Sequence, residues 1–344
     1  MNRLFLATFF LFIIKIDAMT QDAIREFSLA PAEIKISNSL YNSIEFIDSR
    51  VDTTNFGIVQ VGLMNNIAKV KPKTPLKFQL QDFLASVIDP TSEDNQLLFH
   101  LRHFVFAETT KALSEVGHCY IRAGLYAGNQ DAYKNIAVID TVVSIKAMDV
   151  TKPLLKAGSQ LICDLITNNL KKEAADSISY SFNEIVKLDS IEKRDIKVYN
   201  LDEYVDGLYY NYSSFKEQTP DEEIVVKFKK DFSISSVKKI DENGKLIKVK
   251  SEEVYAIVYE GKLYISTGYG FYPLYRNNKD FYFVGKVKPS TSNNEDKVLG
   301  AVMMFGLIGG IIAGSSNPSG ENYFIVIDHI NGEFIHIQKM PLKN

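Results

Sequence analysis

Closely spaced histidines are the first residues in this chain whose type and spacing could support chemistry. His100 and His103 lie within an apolar run, Leu97 to Phe106, that indicates a strand. On a strand these two side chains point to opposite faces and cannot share a metal, whereas on a helix they could. The pattern places no acidic ligand with them. We therefore interpret both as core or edge histidines.

A second histidine pair, His329 and His336, flanks the turn signal Asn331-Gly332. In a two-residue hairpin Ile327 would lie opposite His336, so the two histidines would share a face diagonally and could bind a metal weakly. A zinc or copper site needs further ligands, and the pattern supplies none. A solvated pair is the preferred interpretation, and we predict no metal site.

No catalytic motif stands out elsewhere. Asp48 and Arg50 follow a strand signal and are expected to fix a turn, with catalysis by Asp48 as the alternative. The acidic clusters at 202–203 and 221–223 are interpreted as solvated faces. The sequence contains no Gly-x-Ser-x-Gly, P-loop, His-Glu-x-x-His or dinucleotide fingerprint. We therefore predict no catalytic residue and no cofactor, and we lean away from an enzyme.

The first twenty residues resemble a secretory signal. Arg3 gives a short positive start, and Leu4 to Ile14 is an apolar run too short to span a bilayer. Small residues place cleavage after Ala18 or Thr20. A buried N-terminal helix of a cytosolic protein is the alternative. No cysteine follows the run, so a lipid anchor is not expected, and the predicted location is the periplasm, outer envelope or extracellular space.

The net charge narrows the classes of binding partner, and the cysteine content limits the possible disulfides. The 344 residues carry a net charge of −3, so no bulk positive field favours nucleic acid. Expected partners are an envelope protein or a membrane surface, with a homo-oligomer as a further candidate. Cys119 and Cys163 are the only cysteines. They could form one bridge, but two buried thiols are the preferred interpretation.

Hydrophobic periodicity predicts an α+β fold in two parts, after a signal peptide at 1–20. Residues 21–172 are expected to form a sandwich-like α+β domain. Its helices are predicted at 76–88, where Thr74 caps and Pro75 takes the first position, and at 150–170. Its strands are predicted at 43–48, 56–63, 97–106, 115–127 and 136–145. On the fourth of these, Cys119, Ile121 and Ala123 share one face and His118, Tyr120 and Arg122 the other.

Residues 173–200 are expected to be a linker. The remainder, 201–344, is expected to form a mostly antiparallel β domain, because aromatic and β-branched runs alternate with hairpin signals such as Asn243-Gly244. Its strands are predicted at 224–228, 246–249, 254–259, 263–267, 272–275, 281–287, 323–328 and 333–338.

Residues 298–314 form an uncharged apolar segment in which Gly306, Gly310 and Gly314 are spaced by four. On a helix these glycines share one face and allow close helix packing. Three interpretations are open: a membrane span, a buried or self-associating helical hairpin, and a surface loop. Lysines lie shortly before the segment and not shortly after it. This charge distribution is the reverse of the one expected if the chain after the segment were cytoplasmic, so it opposes a membrane span. We favour the second interpretation, and we expect these glycines to mediate self-association or membrane contact.

Aromatic residues are dense in the second half of the chain. On a strand, alternate rings must face opposite sides of the sheet, so one set forms core. The other set could be a binding surface for a chain, glycan or lipid, although core and cross-strand pairing would also explain the density. The candidate surface residues are Tyr209, Tyr269, Tyr272 and Tyr282.

Two parts of the chain resemble known groups of proteins. Residues 43–50, Ser-Ile-Glu-Phe-Ile-Asp-Ser-Arg, with the helix, strand block and closing helix after them, resemble the periplasmic domain of ABC-type transport auxiliary lipoproteins over 41–170. The lipid-carrying cysteine of that family is missing. The second half, with Phe271-Tyr-Pro-Leu-Tyr275 and Phe281-Tyr-Phe283, is similar to exported β modules of unknown function.

The leading hypothesis is therefore an exported cell-envelope protein of unknown function that acts as a non-enzymatic binding or assembly module. One alternative is a membrane-inserting or self-associating protein that uses the glycine-spaced segment. The other is an envelope-polymer hydrolase without a recognisable motif.

Overall fold

The computed structural model describes residues 23–32, 34–62, 66–111, 114–129, 132–174, 178–277, 280–286 and 322–339. The predicted secretory signal at 1–20 and the glycine-spaced segment at 298–314, with Gly306, Gly310 and Gly314, lie outside the described residues. The described chain is mixed α/β and rich in strands, with several antiparallel sheets. None of its described helices is long and apolar enough to cross a bilayer.

The first half is built on one mixed sheet. Its strand order is β1-β4-β3-β5-β6-β7-β8, and β2 pairs with β5 in parallel. The long antiparallel strands β5 to β7 form its centre, as the apolar alternation indicates. The strands are β1 Ala23–Phe27, β2 Ser43–Asp48, β3 Gly57–Val61, β4 Asn66–Pro72, β5 Gln96–Lys111, β6 Ser114–Asn129, β7 Ala132–Ala147 and β8 Ser179–Tyr180.

Two helices cover one face of this sheet, α1 Leu76–Val87 and α2 Thr151–Thr167. Both lie where the apolar spacing predicts helices. The predicted cap of α1 is wrong: Pro75 occupies the N-cap position and no side chain caps it. Helix α2 packs closely on the sheet, because a Cβ added at Gly158 would lie 2.5 Å from the Phe106 ring.

Cys119, Ile121 and Ala123 of β6 share one face, as predicted, and this face packs in the core beneath the helices. Both cysteines are free and buried, which confirms the interpretation as two thiols.

A β-bulge between Leu101 and His103 corrects the predicted orientation of the histidines. Leu101 pairs with Ala123 on the helix-covered face, but the extra residue Arg102 makes His103 pair with Arg122 on the other face. His100 already lies on that other face, opposite Gly124. The prediction that His100 and His103 face opposite sides is therefore wrong. We call the side of β5 to β7 that the helices leave uncovered the open face.

The connection between the halves is folded where it is described. It contains two short helices, α3 Phe182–Val186 and α4 Leu188–Arg194, and a 3-10 turn at Lys197–Tyr199. A capping box formed by Ser181 and Glu184 starts α3. Helix α4 places its acidic side chains against the open face of the first sheet.

The described part of the second half contains three small antiparallel sheets and one short α-helix, α5 Tyr212–Lys216. The sheets have the orders β10-β11-β12, β15-β14-β13-β9 and β16-β17-β18-β19. Strands β9 and β11 and helix α5 were not predicted. The strands are β9 Gly207–Tyr209, β10 Ile224–Phe228, β11 Ile234–Ile240, β12 Leu246–Val249, β13 Ala256–Tyr259, β14 Lys262–Thr267, β15 Gly270–Pro273, β16 Tyr275–Arg276, β17 Phe281–Gly285, β18 Tyr323–Ile327 and β19 Phe334–Lys339.

The last hairpin forms as predicted but in another register. Ile327 pairs with Phe334, and a register shift beside Ile325 brings Ile325 opposite His336. The predicted pairing of Ile327 with His336 is wrong, because the chain between the strands is longer than a two-residue turn. We call this connection, residues 328–333, the C-terminal turn.

Candidate functional site

A buried ion pair joins the open face of the first sheet to the C-terminal turn. Arg122 of β6 donates from Nη1 to Asp328 Oδ2 at 2.8 Å and from Nε to Asp140 Oδ2 at 2.9 Å. The Arg122 and Asp328 side chains are only 3% and 4% exposed. Asp328 Oδ1 accepts the N–H of Ile330 at 2.8 Å, so both carboxylate oxygens are engaged. The pair therefore holds the turn against the sheet.

A second group of charges surrounds Arg102, the residue added by the bulge. Its guanidinium donates to both oxygens of Glu192 and also to Asp189, both on helix α4. His329 of the C-terminal turn lies 2.7 Å from Glu192, measured from Nε2 to Oε2. We call Arg102, Arg122, Asp189, Glu192, Asp328 and His329 the arginine cluster. It links three parts of the fold that are distant in sequence.

Three side chains of the arginine cluster carry atoms that commonly bind metal ions. Among the described residues, ligand atoms of Asp189, Glu192 and His329 lie within 4.8 Å of one another. The Arg102 guanidinium already occupies both oxygens of Glu192 and one of Asp189. A divalent cation here would have to displace this guanidinium or lie beside its charge. The donor set fits an ion-pair network better than a metal centre.

The ring of His329 lies beside the Glu192 carboxylate. His103 lies 3.8 Å from Asp328, measured from Nε2 to Oδ2. Burial lowers the pKa of His103 to about 4, with the Arg122 charge acting in the same direction. His100 is hydrogen-bonded to Ser49 at 2.8 Å. These placements agree with the interpretation of His100 and His103 as core residues.

Two carboxyl groups of the C-terminal turn have opposite pKa shifts. Burial raises the pKa of Glu333 to about 8, and the nearby Asp328 charge adds to this. Burial alone would also raise the pKa of Asp328, but Arg122 and His103 lower it below its usual range. Acid–base pairs in hydrolases show such a split. Here Asp328 is buried with both oxygens engaged, so the pair fits a structural role better than catalysis.

The raised pKa of Glu333 predicts a pH-dependent stability. The pKa of this carboxyl is about 8 in the folded protein and 4.5 in its ordinary state, so the folded protein binds the proton more tightly than the unfolded chain. The contribution of the protonated carboxyl to stability is therefore full below pH 4.5 and is lost as the pH rises towards 8. Replacing Glu333 by glutamine should leave the free energy of unfolding nearly unchanged at low pH and raise it above pH 8, by about 1–3 kcal/mol. Urea unfolding at both pH values measures this.

The exposed carboxyl of Glu252 provides the control for that experiment, because Glu252→Gln should show no such difference between the two pH values. A Glu333→Gln protein that is less stable than the wild type at high pH would contradict the assignment.

A shallow cleft of about 990 Å³ lies where β1, β3 and the start of α2 meet, lined in part by Gln60, Asp149 and Thr151. The buried Glu108 lies behind it and accepts from the Gln60 N–H at 2.7 Å and the Thr151 hydroxyl at 3.2 Å. Burial raises the pKa of Glu108 to about 7. These bonds anchor the helix to the sheet, which gives Glu108 a structural role.

The third candidate is an aromatic face. Strands β17 and β18 point Phe281, Phe283, Ile325 and Ile327 into the core. The alternate residues on the outer face place the Tyr282 ring 5.7 Å from Tyr275 and 5.1 Å from Phe324, with the planes tilted by 32° and 31°. Tyr275 is 52% exposed, and Val284 beside the row is also exposed. We call Tyr275, Tyr282 and Phe324 the aromatic row.

The predicted surface tyrosines have different positions. Tyr282 lies in the aromatic row, and Tyr269 is an exposed residue between β14 and β15. Tyr272 is half-buried, and its ring lies 6.1 Å from Phe283. Tyr209 is fully buried in the core of the second half, where its hydroxyl donates to the Val205 carbonyl at 2.5 Å. Tyr209 therefore cannot belong to a binding surface.

The sequence did not identify Tyr275 and Phe324 as members of the aromatic row. A signal was available for Phe324, because the buried positions of β18 alternate with it. Tyr275 carries no such signal, since β16 contains only two residues. The arginine cluster had no sequence signal, because its members come from β5, β6, α4 and the C-terminal turn.

Comparisons with known proteins give families without an assigned function. Residues 207–344 match the model of a family of unknown function, DUF6563. No curated protein matches the chain. Among solved structures, a Xanthomonas campestris protein of family DUF330 matches at 12% identity, covering 43% of this chain and 92% of that chain with a TM-score of 0.26. A TM-score this low carries no argument about fold or function. Neither family name refers to transport auxiliary lipoproteins.

Proposed function

We propose that this chain is an exported cell-envelope protein that acts without enzymatic activity, as a binding or assembly module. The observation that carries the binding role is the aromatic row on the outer face of the last sheet. Three rings lie side by side there, at centroid distances of 5.7 and 5.1 Å, and Tyr275 is largely exposed. Aromatic residues dominate the energetics of protein interfaces and are enriched where a membrane meets water.

The place of the glycine-spaced segment in the sequence, between β17 and β18, supports a contact at the same sheet. Gly285 at the end of β17 pairs with Tyr323 at the start of β18. The chain between these strands, which includes the apolar residues 298–314, therefore leaves and re-enters the sheet that carries the aromatic row. An apolar segment that connects two strands of the sheet carrying the aromatic row suits a surface that contacts a membrane or an apolar partner.

A membrane surface is the partner that this combination favours, with an envelope protein as the alternative. Tyrosine rings have an apolar body and a polar hydroxyl, which suits the boundary between headgroups and acyl chains. Insertion of residues 298–314 into the bilayer remains a second candidate, favoured by their uninterrupted apolar sequence. The resemblance of residues 41–170 to auxiliary lipoproteins is in keeping with an envelope location.

Cell fractionation tests the export and the type of membrane contact together. We expect the native protein in the envelope or extracellular fraction, with a mature N-terminus that follows Ala18 or Thr20, as measured by mass spectrometry. Alkaline carbonate should release the protein from membranes if the contact is peripheral. Retention in the carbonate pellet would favour insertion of residues 298–314. Recovery of the chain from Met1 in the cytosol would contradict the proposal.

A further inference from the structure

Strand β7 presents a long edge of the first sheet. On one side it pairs with β6 along its length. On the other side the described residues supply only the short strand β8, which pairs with Tyr133 and Lys134. Beyond Lys134 the edge carries apolar side chains that include Val138, which is 64% exposed, and it is followed by Met148, which is 91% exposed.

Such an edge favours pairing with another strand. In an antiparallel ladder, alternate residues of an edge strand direct their N–H and C=O groups away from the sheet. Soluble proteins protect long edges with charges, bulges or covering elements, because an uncovered apolar edge pairs with other chains. From Ile136 to Ala147 the edge has only two charged residues, which are Asp140 in the middle and Lys146 near the end. Charge therefore gives this edge little protection against pairing with another strand.

We infer that the edge of β7 pairs with the same edge of a second copy of this chain, antiparallel, with Val143 opposite its own counterpart. An antiparallel pair of identical strands has two-fold symmetry, which is the commonest symmetry of homo-oligomers. The two sheets would then continue into one another, with both helix-covered faces on the same side.

Charge complementarity selects this register. With Val143 on the two-fold axis, Asp140 of each copy lies opposite Lys146 of the other, so two oppositely charged pairs form. Within one copy, Arg122 is shared between Asp140 and Asp328, at 2.9 and 2.8 Å. One positive charge therefore serves two carboxylates, and Lys146 of the second copy would balance the remaining negative charge.

The same register also matches the apolar residues. Val138, Asp140 and Lys146 lie at alternate positions on the open face. In this register Val138 of one copy faces the chain of the other copy just beyond the end of β7 at Ala147, where the exposed Met148 follows. On the helix-covered face, Ile139 meets Ala147, and Val143 meets its counterpart.

Three other symmetric registers are less favourable. Pairing Asp140 with Lys134 would place the second strand where β8 already bonds to Lys134. Centring the pair on Asp140 or on Lys146 would oppose two like charges, which is destabilising in a cross-strand pair.

Reversal of one charge tests the pairing. The wild-type mature chain should be a dimer by sedimentation equilibrium, and Lys146→Glu should raise the dimer dissociation constant by about tenfold or more, because two attractive pairs become repulsive. Lys134→Glu is the matched control, since Lys134 is an exposed lysine of the same strand at the position that β8 occupies. It should leave the dissociation constant unchanged. Circular dichroism should show both variants folded.

A disulfide test reports the register. Val143→Cys should form a disulfide-linked dimer on mild oxidation, because opposite residues of antiparallel strands have Cα atoms within disulfide range. Ser144→Cys, which would lie opposite Val142, should not. The native thiols of Cys119 and Cys163 are buried and give no background.

Three results would overturn the inference. The first is a wild-type chain that is monomeric at every concentration, as expected if the chain's own residues cover the edge. The second is a dimer that Lys146→Glu does not weaken. The third is equal cross-linking of the two cysteine variants. A dimer that survives Lys146→Glu but is lost in Gly310→Leu would assign association to the glycine-spaced segment instead.

Discussion

Replacing Arg122 by leucine should lower the free energy of unfolding by about 3–5 kcal/mol, because removal of one partner leaves a buried charge uncompensated. Asp328 is 4% exposed and would keep its carboxylate in the interior without the guanidinium that neutralises it. Asp140 would lose the same partner. Urea unfolding of the purified mature chain measures the change.

The partly exposed ion pair between Lys239 and Glu222 provides the matched control. Its side chains are 29% and 32% exposed, so Lys239→Leu should cost no more than about 1 kcal/mol. Adding Asp328→Asn to Arg122→Leu should recover part of the loss, because the buried negative charge is then gone. Equal costs for Arg122→Leu and Lys239→Leu would show that the arginine cluster does not join the sheet to the C-terminal turn.

The strands that alternate cleanly were predictable from the sequence. Ser43–Asp48 forms as predicted, and Phe281–Gly285 and Tyr323–Ile327 differ from prediction only at one end. Helix α2 was also predictable, because its apolar stripe repeats over several turns. These elements bury one face each, so local periodicity decides their type.

The bulge at Arg102 shows where local periodicity fails. One inserted residue moved His103 to the open face and turned a charged residue towards helix α4, although nothing in the alternation marks it. The strand Ile234–Ile240 escaped prediction for another reason. It contains two serines and two lysines, so its strand pairing is not reflected in an apolar pattern.

The charged site required the tertiary fold. Arg122 and Asp328 lie in different halves of the chain, and only the packing of the C-terminal turn on the first sheet brings them within 2.8 Å. The aromatic row was partly predictable, because Tyr282 alternates with buried phenylalanines. Tyr209 was wrongly predicted to lie at the surface, because the sequence does not show that strand β9 is buried on both faces. Tyr209 lies in one hydrophobic core and its neighbour Leu208 lies in another.

Removal of the aromatic row should weaken membrane contact more than any change elsewhere on the surface. Large aromatic residues buried at interfaces contribute about 1–2 kcal/mol or more each to the binding free energy. The double substitution Tyr282→Ala and Phe324→Ala should therefore weaken membrane binding by roughly one to two orders of magnitude. The core of the sheet should remain, because Phe281, Phe283 and Ile325 point to its other face. Phe232→Ala is the control, since Phe232 is 85% exposed and lies outside the row.

Co-sedimentation of the mature chain with vesicles of phosphatidylethanolamine and phosphatidylglycerol is the most direct test of the proposed contact surface. We predict that the wild type and Phe232→Ala sediment with the vesicles to the same extent, and that the protein lacking Tyr282 and Phe324 rings stays in the supernatant while its circular dichroism is unchanged. Equal sedimentation of all three proteins, or no sedimentation of the wild type, would contradict a membrane-binding role for this face.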